Sequence, residues 1–376
     1  MGIEVMSRKT FKYRLYPNRQ QRERLQATLD VCRELYNAAL QERRDGYRTS
    51  RAKLNYYTQA NQLSEIKEIR PDIASVHSQV LQDTLRRLDK SFQSFFRRVQ
   101  QGQKPGFPRF QGIHRYDSFT YPQAGFRLGA KLQLSKIGNV KIKLHRELKG
   151  EVKTLTIKRE NGNWYACFSC VVESEPLPVL DNSTGIDVGL ESFATLSNGD
   201  KIPNPRWYRV EQKRLRRAQR KVARRTNKRS NRRRKAVAIL AQVHRDIFNK
   251  RNDFQHKESL KIVQQYQTIF VEDLNIKGLS QGILAKSVHD ASWASFLDKI
   301  SYKAEHAGRQ FIQVDARGTS QRCPCGASNR KTLSDREHGC AECGLVTSRD
   351  HASAMEILRL GLSLQAPTIL ETECVA

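Results

Sequence analysis

The sequence predicts a multidomain α+β protein: a small β-barrel beside a helical lobe, followed by an α/β domain that carries an inserted cysteine ribbon. Three observations predict it. The hydrophobic period changes from helical to two after a breaker-rich loop, Gly102 to Phe110. Beyond Asn182 strands alternate with long helical stretches, as in a layered α/β domain. Of eight cysteines, Cys323, Cys325, Cys340 and Cys343 crowd together late in a chain of 376 residues, long enough for two or three domains.

Lys9 to Leu15 alternates, with Phe11, Tyr13 and Leu15 on one face and Lys12 and Arg14 on the other, which predicts a half-buried strand. Pro17 ends it, and Asn18 with Gln21 three residues on forms a capping box. Leu25, Leu29, Cys32, Leu35, Tyr36 and Ala39 then follow helical spacing. Further helical stretches are expected over about 54–69 and 75–99. After the loop, apolar alternation at Leu132 and Leu134, at Val140, Ile142 and Leu144, and at Leu155 and Ile157 predicts short strands. Asn161-Gly162 is a two-residue hairpin signal, followed by alternation from Trp164 to Val172. These strands suit a small barrel that the first strand could complete, and Pro176 and Pro178 mark a linker.

Next come a strand over Gly185–Leu190 with Asp187 in its middle and a hairpin around Asn198-Gly199. A long basic helical region to about Tyr266 leads to the buried-type strand Thr268–Glu272. An amphipathic helix over Ser292–Ala307, the strand Gln310–Val314, the cysteine cluster and a helix from Asp350 complete the chain. Strand, hairpin, helix, strand, helix, strand, helix is the order of an RNase H-like domain.

Lys and Arg number 67 against 38 Asp and Glu, giving a formal charge of +29. Such an excess repels itself in a compact chain unless a polyanion neutralises it, and nucleic acid is the natural partner. No apolar run approaches the roughly 18 residues of a spanning helix, and Met1 to Thr10 lacks a signal-peptide core. We therefore expect a soluble, cytoplasmic protein with no membrane partner.

Asp187 stands in Gly-Ile-Asp-Val-Gly (185–189), Glu272 ends a strand and Asp350 opens the last helix. Singly these are ordinary: a turn residue, a solvated strand end, a helix cap. Together they occupy the three elements on which RNase H-like nucleases gather carboxylates around two divalent ions. Hard oxygen ligands suit two Mg²⁺ ions.

The clustered cysteines suit one Zn²⁺ ion. Cys340-Ala-Glu-Cys343 is a regular knuckle, whereas Cys323-Pro-Cys325 is one residue short. A ribbon held by packing alone, or completed by His338, is the alternative. Between Arg206 and Lys235 roughly half of the residues are basic and Glu211 is the only acid. A phosphate-lined groove built from Arg216, Arg217, Arg220, Lys221, Arg224 and Arg225 explains this better than a merely solvated helix.

Tyr-Arg-Leu-Tyr-Pro (13–17), Gly-Phe-Pro-Arg-Phe (106–110), Gly-Ile-Asp-Val-Gly-Leu (185–190), Val-Glu-Asp-Leu (271–274) and Ser-Arg-Asp-His-Ala (348–352) fall in sequence along the chain. In these motifs it resembles TnpB, a transposon-encoded family related to type V CRISPR effector nucleases. The resemblance implies an RNA-guided endonuclease that cuts double-stranded DNA beside a short flanking motif with one RuvC-type site. It implies Asp187, Glu272 and Asp350 as the catalytic triad, and a transposon-encoded guide RNA and target DNA as partners, with one protein per RNA. It divides the chain into a first wedge strand (1–16), a helical recognition lobe (17–104), a wedge barrel (105–180), a RuvC domain (181–320), a zinc ribbon (321–346) and a second RuvC part with the C-terminal tail (347–376). Tyr56, Gln82 and Thr120 align with positions that read the flanking motif.

The chain also departs from the family pattern. Ser348 stands where many relatives have Asp, and Ala352 where many have Asn, which implies weaker catalysis. A DDE transposase would end its triad on Glu instead of Asp350. A guide-dependent repressor would lack one or more of the acids, and a plain basic RNA-binding protein would not explain them.

Overall fold

The computed structural model describes residues 6–113, 115–174, 176–279, 281–282, 285–315, 317–329, 331–332 and 335–365. Cys374 and the tail assigned to the last nuclease segment beyond Gln365 lie outside the described residues. The chain forms two compact units that divide between Glu173 and Ser174.

The first unit opens with β1 (Met6–Tyr16), whose buried residues are Phe11, Tyr13 and Leu15, the expected face. The Asn18 capping box then starts the 32-residue α1 (Arg19–Ser50). The expected helix over 54–69 is two, α2 (Tyr56–Asn61) and α3 (Leu63–Ile69). Pro71 opens a separate turn, α4 (Pro71–Ala74), so α5 (Ser78–Gln100) begins later than its apolar pattern suggests.

Six further strands follow: β2 (Ser118–Tyr121), β3 (Phe126–Leu128), β4 (Leu132–Leu134), β5 (Gly138–Lys143), β6 (Glu151–Glu160) and β7 (Asn163–Glu173). They pair antiparallel in the order β2-β6-β7-β1-β5-β4-β3, so the first strand does complete the sheet. The outer strands β2 and β3 follow one another directly in the chain, and the rings of Tyr121 and Phe126 meet edge-on at 6.3 Å. That short link between opposite edges curls the sheet nearly into a barrel. Asn161 and Gly162 both have positive φ, 49° and 77°, as a tight β6–β7 turn requires. Leu144, expected to extend β5, lies beyond it and is exposed. One continuous core joins the helices to the barrel.

The second unit holds β8 (Ser183–Asp187), β9 (Ser192–Leu196), β10 (Lys201–Pro203), β11 (Thr268–Glu272) and β12 (Gln310–Val314). Their order is β10-β9-β8-β11-β12; the first three run antiparallel, and β8, β11 and β12 run parallel. This is an RNase H-like sheet. Between β10 and β11 lie α6 (Trp207–Val210), α7 (Gln212–Ala223) and the 35-residue α8 (Asn231–Gln265). Three more helices, α9 (Ile276–Leu279), α10 (Ala285–Ala291) and α11 (Trp293–His306), connect β11 to β12.

A 3-10 turn (Thr319–Gln321) leads into the ribbon, whose strands β13 (Glu337–Gly339) and β14 (Val346–Ser348) pair antiparallel. The last helix is α12 (Arg349–Gln365). Ile269 and Val271 of β11 enter one core with Phe296 and Ile300 of α11, while Phe270 enters another with Ile357 of α12. Cover on both faces explains the unbroken apolar run of β11.

Candidate active site

Asp187 is the last residue of β8, not a mid-strand residue: the pairing with β11 ends at Ile186 and Val271, and the antiparallel pairing with β9 ends at Asp187 and Thr195. Glu272 ends β11, and Asp350 lies in the first turn of α12. The parallel register puts Asp187 and Glu272 at the same edge of the sheet. Two glycines let α12 seat against it: a Cβ at Gly185 would lie 2.2 Å from the Ala354 carbonyl oxygen, and one at Gly361 would lie 2.1 Å from the Phe270 ring. No side chain fits at either place. A Cβ at Gly189 would lie 3.5 Å from Asp350 Oδ2, which locates that carboxylate beside the turn following Asp187.

Asp187 feels the other two acids. Burial holds the Asp187 carboxyl well above its ordinary range, the charges of Glu272 and Asp350 push it higher, and the Arg349 guanidinium opposes them. Burial also raises Glu272, against a hydrogen bond that the Thr319 hydroxyl donates to its Oε1. Arg349 Nε lies 3.6 Å from Asp350 Oδ1. Thr319 carried no signal of its own in the sequence, since its partner Glu272 belongs to a distant segment, and Arg349 was legible only as part of the Ser-Arg-Asp-His-Ala motif. The charges of Glu272 and Asp350 acting on a buried Asp187 are what a hard divalent cation beside it would offset.

In the ribbon, Sγ of Cys323 lies 3.6 Å from that of Cys343, and Sγ of Cys325 lies 3.7 Å from that of Cys340. All four sulfurs are within 4.8 Å of one another. Sulfurs bound tetrahedrally at about 2.3 Å stand about 3.8 Å apart, so the shortened first knuckle still fits a zinc ion. Backbone amides of Cys343 and Glu342 bring the Cys340 thiol down to about 7. His338 is fully buried, meets Lys331 through Nδ1 and is not part of the sulfur group.

Helices α7 and α8 pack through Leu215, Ala218, Val243 and Ile247, which turns the remaining faces outward. Arg216, Arg217, Arg220, Lys221, Arg224 and Arg225 line one open groove of about 860 Å³, joined by Lys213 and Arg232. Lys213 lies in the first turn of α7 and Arg232 in the first turn of α8, and both were legible only as part of the basic run.

Tyr56, Gln82 and Thr120 are each half-buried around α5 in the first unit. Arg86 lies 5.0 Å over the Tyr56 ring. Arg87 donates to the Thr120 hydroxyl at 2.6 Å, and Thr156 shares that hydroxyl at 2.9 Å. Among the described residues no helix is long and apolar enough to cross a membrane.

A family model described as "Probable transposase" matches residues 168–282, one described as "Cas12f1-like, TNB domain" matches 293–357, and one described as "Helix-turn-helix domain" matches 6–52. That last segment is here a strand followed by one unbroken helix. A Streptomyces pristinaespiralis protein, provisionally named an RNA-guided DNA endonuclease, is 33% identical over 96% of this chain and 90% of its own length. Escherichia coli K12 InsQ, provisionally named likewise, is 28% identical over 95% and 93%. A Cas12f1 solved as a complex with sgRNA and target DNA superposes with a TM-score of 0.59 at 13% identity, covering 94% of this chain and 98% of that one, and so shares the fold. Matched over nearly all of its length by a relative one third identical to it, this chain belongs to the TnpB family of RNA-guided DNA endonucleases.

Proposed function

We propose that the protein cuts double-stranded DNA under the direction of a guide RNA, next to a short flanking motif, at a RuvC-type site formed by Asp187, Glu272 and Asp350. The observation that carries this is the electrostatic coupling of Asp187 to both other acids at the edge of β8 and β11. The relatives' names and the Cas12f1 complex support the RNA and DNA partners.

Asp187, Glu272 and Asp350 would hold divalent ions such as Mg²⁺, which when bound in a pair stabilise the attacking and leaving oxygens of a phosphodiester. The rest is the work of the chain itself. The Thr319 hydroxyl fixes one oxygen of Glu272. Arg349 offsets part of the negative charge beside Asp187. The cationic groove between α7 and α8 grips phosphates of a guide–target duplex by shape and charge, without reading bases. The four cysteines would hold one zinc ion and so order the segment before α12. Tyr56, Gln82 and Thr120 would read the flanking motif.

Programmed cleavage of a plasmid by the guide complex tests the proposal. Asp187→Asn should abolish cutting and leave guide-RNA affinity within about twofold, since it removes a metal ligand and no phosphate contact. Loss of RNA binding to the same degree would make Asp187 structural. Intact binding with no cutting by the unaltered protein would make it a guide-dependent repressor, the outcome to which Ser348 and Ala352 point.

A further inference from the structure

We propose that the aromatic face formed by Phe96 and Phe107 in the first unit stacks unpaired bases of the guide RNA; this rests on the RNA-guided reading above. The Gly-Phe-Pro-Arg-Phe loop has no part in the site already described. It folds back so that Phe107 meets Phe92 edge-on at 5.5 Å and Phe95 at 5.4 Å, while Phe92 and Phe96 stack at 6.3 Å. Asn37 of α1 clasps the loop by exchanging hydrogen bonds with the Gln111 backbone at 3.0 and 2.7 Å. Phe92 and Phe95 thus hold Phe96 and Phe107 in place.

The outer rings face solvent: Phe96 is 56% exposed, Phe107 46% and Phe110 43%. A held cluster of exposed aromatic rings is a binding surface rather than scattered surface apolarity. Its surroundings select the partner. From Lys90 to Tyr116 the sequence contains no acid, while Arg97, Arg98, Lys104 and Arg109 flank these phenylalanines along the chain, and Arg98 reaches the loop beside Gly106. Arg44 stands 5.3 Å over the Phe110 ring and covers one of its faces. Exposed aromatic faces among cations, with backbone phosphates neutralised alongside, are how proteins hold single strands. A duplex, whose bases are stacked on one another, has no face to offer. Of the two nucleic acids, the guide is the resident partner and the one able to cover these rings before any target arrives.

The test measures anisotropy of a labelled twelve-nucleotide oligoadenylate RNA on the full-length, RNA-free protein in about 0.5 M salt, where phosphate contacts weaken and stacking persists. Phe96→Leu/Phe107→Leu keeps the apolar volume and removes the ring faces. It should lose about tenfold in affinity for the single strand, with binding of a matching RNA duplex unchanged, and Phe96→Trp/Phe107→Trp should restore it. Equal loss on the duplex, or no loss on the single strand, would overturn the proposal. So would a concentration-dependent dimer that the leucine variant abolishes, since the patch would then join two chains. In the complex purified with its guide, binding of the matching oligodeoxyadenylate should not depend on Phe96; dependence there would assign the surface to a DNA strand and overturn the RNA reading. These measurements use no cleavage, so their failure is distinct from failure of the nuclease assignment.

Discussion

Gly185 and Ala354 meet backbone to backbone: a Cβ on the first would lie 2.2 Å from the carbonyl oxygen of the second. This contact sets how deep the last helix sits on the sheet, and so how near Asp350 comes to Asp187. The nuclease reading therefore depends on a residue with no side chain.

Gly185→Ala should destabilise the second unit by about 1–3 kcal/mol or more, since the neighbouring atoms are backbone and cannot rotate away. Urea denaturation measures this. Cleavage should fall further than stability alone accounts for, because the displaced helix carries Asp350. A variant with unaltered midpoint and activity would show that β8 and α12 are not in contact.

Without divalent ions the acid cluster should make stability depend on pH. Asp187 holds its proton more tightly folded than unfolded, so the folded protein binds more protons over that range and stability falls as pH rises. The loss begins near the unfolded carboxyl value of about 4 and is complete above the raised folded one. In EDTA, Asp187→Asn should therefore unfold at higher urea than the unaltered protein at pH 7, and the gap should close by about pH 4. A gap of the same size at both values would deny that the carboxylates repel.

Elemental analysis should find about one zinc per chain, as four tetrahedral thiolates require. Cys325→Ser should release it, since three sulfurs hold zinc far less tightly, and should lower cleavage by loosening the segment before α12. Zinc retained at full occupancy in that variant would place the ion elsewhere.

Arg216→Ala/Arg220→Ala should weaken binding to every nucleic-acid sequence and reduce the salt slope by about two. Gln82→Ala should instead relax the flanking motif at one position, at about 1–3 kcal/mol. A randomised-flank cleavage library separates them. Unchanged preference with uniformly lower activity for Gln82→Ala would move the reading surface elsewhere.

The sequence by itself determined what is local. Alternation placed the buried face of β1 and the strands β6 and β7, an unbroken apolar run placed β11, and Asn18 with Gln21 and Asn161-Gly162 fixed a helix start and a hairpin, because caps and turns are decided within a few residues. The basic run likewise announced the groove, since so many like charges cannot be balanced locally. Only tertiary structure decided how distant segments meet. It split the second helical stretch, ended β8 at Asp187, and brought Thr319 and Arg349 to the acids. It also drew a two-cysteine knuckle that looked one residue short into a four-sulfur group. Such meetings depend on the packing of the last helix through Gly185 and Gly361 and on the path of the ribbon. A linear pattern records which residues prefer to be buried, but not which surface will bury them.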